Sequence, residues 1–476
     1  MRTEFENAVR ALSSLVRSAR NAAIHLHRGS RTRRVFSAAC ICLLALLAVA
    51  VSPPAHALLP IQSWKTSTGG VVLFVENRDL PMIDISVDFP AGFGNDTAQK
   101  SGLAAMTQHM RRLGAGGLSE DAISERIADV GAQLGGRFDS DRAGTSLRTL
   151  SSRKERDQAL DILERVLQKP EFPQAALERE RARVIASLKE ADTKPDTIAS
   201  RTFHRLVYRD HPYGLRGSGE VETLAALTRE DLVDFFRSHY LAQDAVVAIM
   251  GDMTRADAQQ IAERLTQGLP RGAGKTSSVP DVVELGRASS SVMSHPASQA
   301  HILIGGPGIR RNDPDYFALF VGNYILGGGG FSSRLNEEVR QKRGLAYSVY
   351  SYFEPMLHGG KFQIGLQTQS GQAQTALQVV TDTLKRFLEQ GPSAQELEEA
   401  RNNLIGSFPL RIDSNAKIHE YLALIGFYRL PLTYLEDFVK NIEKVSVADV
   451  RAAFSRHVHI ERLVVVMVGR GLDATK

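Results

Sequence analysis

The side chains in this 476-residue chain best suited to hold a metal or act as a nucleophile are its cysteines and histidines. Both cysteines, Cys40 and Cys42, lie in an apolar run near the N-terminus, and none follows it. A body without thiols has no disulfide, no thiolate nucleophile and no cysteine-based metal site. Beyond residue 57 the histidines are His109, His204, His211, His239, His295, His301, His358, His419, His457 and His459. None pairs at i, i+4 with another ligand-type residue in a metal-like setting, and His457 and His459 stand two apart near a helix end. Catalytic zinc needs about three protein ligands, so the histidine spacing offers no metal centre. Four consecutive glycines, Gly327, Gly328, Gly329 and Gly330, suggest a phosphate-cradling loop. No Lys-Ser/Thr follows them, so they are not a P-loop, and they read as a turn.

The elements around these residues come in two similar sets. Leu227 to Asp252 and Val445 to Arg470 superpose without a gap at an offset of 218, matching Asp231 with Asp449, Phe236 with Phe454, His239 with His457 and Gly251 with Gly469. Each copy starts with a Thr or Ser cap, runs an amphipathic helix and ends in a buried-type strand closed by Gly. In the first half Ile83, Ile85, Val87 and Phe89 alternate with Asp84, Ser86 and Asp88, which predicts a half-buried strand. Ser101 then caps a helix from about Gly102 to Leu113. In the second half the strand His301 to Ile304 leads through a Gly/Pro turn to a helix from about Tyr316 to Leu326. A Gly/Pro/Ser-rich stretch near Gly268 to Val283 separates the halves. The expected architecture is α+β: two similar sheet-and-helix domains joined by a linker, from duplication of a domain of about 200 residues.

Composition sets the compartment. With 43% hydrophobic and 23% charged residues the chain is neither disordered nor a polytopic membrane protein. The formal charge of +5 comes from the leader: residues 1–57 hold eight Arg and two Glu, leaving 50 basic against 51 acidic groups. Nucleic-acid binding is therefore not expected. Arg33-Arg34, the apolar run Val35 to Val51 and Ala55-His56-Ala57 form a cleavable export signal ahead of Leu58. Thr32 to Phe36 also resembles a twin-arginine motif, while the Leu-rich core suits the general secretory route, so the route stays open. The expected organisation is 1–57 signal peptide, 58–267 first domain, 268–290 linker and 291–476 second domain, in a periplasmic or secreted protein with no membrane contact after cleavage.

Several stretches resemble the pitrilysin/insulinase family of zinc peptidases: Ser101-Gly102-Leu103-Ala104-Ala105-Met106-Thr107-Gln108-His109-Met110, Glu178 to Arg181, Asp210 to Gly214, Phe331 to Leu335 and Lys342 to Ser348. The resemblance covers nearly the whole mature chain and implies a clamshell of two-domain halves around a peptide chamber, shared with a partner chain. The family's zinc helix reads His-x-x-Glu-His, with both histidines on one face and the Glu activating the bound water. Here the first His falls on Ala105, the Glu on Gln108, the second His on His109 and the later Glu ligand on Ser187. One of four positions survives, so no metal and no hydrolysis are expected of this chain alone.

The resemblance assigns Arg340 and Tyr347 to the Arg/Tyr pair of the family's non-zinc half, which contacts the substrate carbonyl. A guanidinium and a phenol can both donate to a developing oxyanion. A glycine-rich loop placed like Gly327 to Gly330 occurs in a noncatalytic processing-peptidase subunit of the family, where it is associated with substrate handling, though the run here is shorter. Together these features imply a noncatalytic, substrate-binding subunit of a metalloendopeptidase pair, with zinc on a related partner chain and a peptide as substrate. The alternative is a peptide-binding or scaffold protein with no proteolytic role.

Overall fold

The computed structural model describes residues 60–272 and 279–472. The expected leader with its cleavage site and both cysteines lies outside them, as do residues 273–278 of the expected linker. The described strands are β1 (Gln62–Lys65), β2 (Val71–Glu76), β3 (Met82–Phe89), β4 (Gly114–Ala115), β5 (Leu118–Ser119), β6 (Gln133–Phe138), β7 (Ala143–Leu150), β8 (Val246–Gly251), β9 (Ser289–Ser294), β10 (Gln299–Pro307), β11 (Ala346–Glu354), β12 (Lys361–Gln369) and β13 (Val464–Gly469). One sheet runs β1-β2-β8-β3-β7-β6 and the other β9-β13-β10-β12-β11, with β4 and β5 forming a small hairpin. No described helix is long and apolar enough to cross a membrane.

The internal repeat extends to element boundaries. The helices Arg229–His239 and Val447–His457 start and stop 218 positions apart, as do β2 and β9, and β8 and β13. Both helices carry a capping box, Thr228 with Asp231 and Ser446 with Asp449, each serine or threonine oxygen accepting from a backbone N–H of the first turn. The same cap chemistry thus fixes the same helix start twice.

Two sequence expectations change. The helix after β3 spans Leu103–Met110, and its cap is not Ser101. Asp96 accepts from the Gly102 and Ala104 backbone N–H groups at 2.8 and 2.9 Å, while Ser101 Oγ donates to the Arg216 carbonyl. Gly102 takes φ +92°, a conformation that favours glycine.

The second change is in β3. Its polar residues Asp84, Ser86 and Asp88 are as buried as its apolar ones. They are covered by the helix Asn415–Phe427, which belongs to the second half yet packs on the first sheet. Gly426 meets Leu73 and Val246 there, and His419 Nε2 bonds the Ala248 carbonyl at 3.2 Å. The exchange is reciprocal. The first half's helix Pro195–Tyr208 packs Phe203 and Val207 against Leu303, Val464 and Val466 of the second sheet. Each sheet therefore has its own helices on one face and a helix from the other half on the opposite face. Asp141 reinforces the junction by accepting from Tyr213 Oη, from Tyr428 Oη at 2.8 Å and from the Leu357 N–H at 2.9 Å.

Candidate functional site

His109 lies near the C-terminal end of the helix Leu103–Met110, facing the helix Gln174–Ala191. Its Nε2–H donates to Glu180 Oε2 at 2.9 Å. Glu180 also accepts from Arg179 at 3.0 Å and from Arg183 at 2.7 Å. Burial alone would raise its pKa, but the hydrogen bonds from Arg183, Arg179 and His109 prevail and hold it down at about 2. Ser187, further along that helix, is exposed. The imidazole is thus tied to a structural carboxylate, and neither Ala105 nor Ser187 offers a ligand comparable to His or Glu.

Gln108 is equally occupied. Its Nε2 donates to the Gly144 carbonyl at 2.5 Å, and its Oε1 accepts from Arg111 Nη1 at 2.9 Å and Tyr240 Oη at 3.0 Å. An ionised glutamate here would have no N–H for the Gly144 carbonyl. Arg111 is 1% exposed, with its guanidinium 4.4 Å from the centre of the Tyr240 ring. Burial pulls its pKa down, while Tyr240 opposes that shift. The place where the family has a water-activating glutamate holds a buried amide-arginine-tyrosine cluster.

Arg340 and Tyr347 are brought together on the second half. Arg340 belongs to a wide helical turn, Asn336–Gln341, and Tyr347 to β11, the edge strand of its sheet. Val349 and Ser351 point inward, so simple alternation would bury Tyr347 as well. A register shift between Ala346 and Val349 inserts one residue and turns Tyr347 outward, leaving it 85% exposed. The Arg340 guanidinium lies 4.9 Å from the Tyr347 ring centre and 4.6 Å from that of Phe331, which is itself 68% exposed.

The neighbouring charges are all engaged. Arg334 forks onto Glu396, Lys342 bridges Glu337 and Glu338, and Arg343 holds Glu338. Among the described residues, the side chains of Arg340 and Tyr347 make no hydrogen bond or ion pair with the rest of the chain. Two donor groups are held beside one another by stacking, with their N–H and O–H groups free.

The glycine run is not a loose loop. Gly327 lies within a wide helical turn, Tyr324–Gly328, pressed on β11, where a Cβ would collide with Ser351. Gly330 takes φ +60° just before Phe331. Phe331 is the site residue that sequence reasoning missed, although it opens the Phe331 to Leu335 motif. Also missed is a cluster of Asp313, Asp315 and His457, whose ligand atoms all lie within 4.8 Å of one another. There Asp315 accepts from His457 at 2.9 Å and from both arms of Arg456 at 2.7 and 2.8 Å.

Residues 71–219 match the family model for insulinase (peptidase family M16), and residues 226–404 match that for the peptidase M16 inactive domain. The crystal structure of a peptidase M16 inactive domain from Pseudomonas fluorescens superposes with a TM-score of 0.84, at 37% identity over 88% of this chain and 99% of that one. The chain belongs to peptidase family M16. Non-peptidase homolog YmxG of Helicobacter pylori is 26% identical over 83% of this chain and 91% of its own length. Mitochondrial-processing peptidase subunit beta of Saccharomyces cerevisiae is 25% identical, covering 73% of this chain and 77% of its own. The degenerate His109 group fits an M16 member that does not itself catalyse.

Proposed function

We propose that this M16 protein is the noncatalytic, substrate-binding subunit of an exported peptidase pair, supplying Arg340 and Tyr347 to a chamber whose zinc sits on a related partner chain. The observation that carries the proposal is the exposed stack of Phe331, Arg340 and Tyr347 at a free sheet edge, with the donors of Arg340 and Tyr347 unused. A peptide added along β11 would form backbone hydrogen bonds with that edge and bring a carbonyl within reach of both donors. A scaffold has no need of two aligned donors on an exposed edge. That one relative is by name a peptidase subunit accords with a paired assembly.

Affinity capture of the tagged full chain from its native host tests the pairing. A stoichiometric M16 chain carrying His-x-x-Glu-His supports it, and a protein recovered without such a chain under conditions that preserve complexes refutes it. The intact mass of the captured chain tests export: a start at Leu58 is expected, and a mass retaining Val35 to Val51 means an anchored protein.

A further inference from the structure

The crossed helix Asn415–Phe427 closes the polar face of the first sheet into a cavity of about 760 Å³. Two polar groups on its floor have no partner. Asp88 is 1% exposed and Ser86 4%, and neither Asp88 Oδ2 nor Ser86 Oγ makes a hydrogen bond. Being two apart on β3, they project from the same face. Asp84, the next in that row of alternate residues, is fully used: Arg148 grips it at 2.7 and 3.1 Å.

Arg137 supplies the opposite charge. It and Asp88 both register with Gly144, so the three residues form one row across β6, β7 and β3. Gly144 has no side chain to stand between them, and a Cβ there would collide with Asp88 Oδ1. Among the described residues the Arg137 side chain makes no hydrogen bond or ion pair. Burial pushes the Asp88 carboxyl above its ordinary value, while Arg137 and Arg142 pull it back and Asp139 adds to the rise.

An unpaired buried carboxyl beside an unpaired hydroxyl calls for a donor-only group, and an ammonium offers three N–H bonds and no acceptor. The nearby free guanidinium favours a guest that carries an anion as well over a simple cation. We propose that this cavity binds a short zwitterionic peptide, its α-ammonium donating to Asp88 Oδ2 and Ser86 Oγ and its carboxylate facing Arg137. The volume lies within the usual range for small-molecule sites. The proposal goes beyond the paired-peptidase reading, because it concerns this chain alone and needs no partner.

Calorimetry of the mature chain with dialanine, N-acetyl-dialanine and dialanine amide tests it. Dialanine is expected to bind, acetylation to abolish binding and amidation to weaken it. Asp88→Asn should weaken dialanine binding by at least about tenfold, in keeping with the strength of hydrogen bonds to charged groups. Ser86→Ala, which leaves the buried carboxyl in place, should weaken it less and decides the matter if Asp88→Asn fails to fold. Arg137→Ala should erase the difference between dialanine and its amide. No heat with millimolar dialanine means the cavity holds water only and overturns the proposal. Equal binding of the acetylated peptide, or unchanged binding in the folded Asp88→Asn or Ser86→Ala variant, overturns it too.

Discussion

Replacing Glu180 with Gln tests whether the carboxylate that holds His109 serves the fold. The Glu180 carboxylate joins His109 to Arg179 and Arg183, and its pKa is held at about 2 against an ordinary 4.5. A difference of about 2.5 units corresponds to roughly 3.4 kcal/mol. Arg179 and Arg183 are 54% and 62% exposed, so solvent screening reduces this to about 1–2 kcal/mol. The folded-state pKa lies below the unfolded one. The contribution is therefore complete above pH 4.5 and fades as the pH falls toward 2, with more than half gone by about pH 3. Urea unfolding of wild type and Glu180→Gln at pH 7, 5 and 3 should show a gap of about 1–2 kcal/mol at pH 7 that at least halves at pH 3. A gap below about 0.3 kcal/mol at pH 7, within the range of ordinary surface substitutions, or one unchanged at pH 3, would refute the reasoning. The variant should also bind no stoichiometric zinc, because freeing His109 leaves Ala105 and Ser187 without comparable ligands.

Three further predictions address the rest of the molecule. The purified chain from Leu58 onward should hold no tight zinc and leave unstructured peptides intact, checked by metal analysis and a chelator-controlled cleavage assay. In a complex with a saturating zinc-bearing partner, Tyr347→Phe should keep assembly by sizing yet lower kcat by about 10²–10³, the usual cost of one oxyanion donor. Arg340→Ala should also raise KM, and equal cleavage with either variant would favour the scaffold reading. His419 is held neutral by burial, its pKa pulled down to about 4 while Asp84 and the Ala248 carbonyl oppose the shift. Its folded pKa lies below the unfolded 6.5, so stability should fall as the pH drops from 6.5 to 4, and His419→Leu should flatten that part of the profile in urea melts.

Local chemistry was legible in the sequence. Thr228 with Asp231 and Ser446 with Asp449 announce two equivalent helices because a cap acts within four residues. Ala105, Gln108 and Ser187 announce a departure from the family's metal-site pattern because the identity of those residues is a matter of residue type. Long-range features were not legible. Asp84, Ser86 and Asp88 alternate as on a solvated strand, and nothing nearby in sequence says that a helix more than 300 residues away covers them. A hint lay in Leu422 to Phe427, apolar nearly all round, as expected of a helix end between two layers. The outward turn of Tyr347 depends on a bulge that strand periodicity hides. Phe331 reads as an ordinary core aromatic until its exposure is seen.

The exchange of Pro195–Tyr208 for Asn415–Phe427 bears on the ancestry of the molecule. A single copy of this half would leave one sheet face bare and hold out a helix with nowhere of its own to dock. Two identical copies would satisfy one another by trading that helix, giving a symmetric swapped dimer. Joining the two copies in one polypeptide removes the requirement that both faces stay identical. One sheet could then take on Asp84, Ser86 and Asp88 under its borrowed helix while the other kept an apolar contact around Phe203. Asymmetry between the halves is thus a freedom that fusion creates, and the two faces beneath the traded helices are where it has been used.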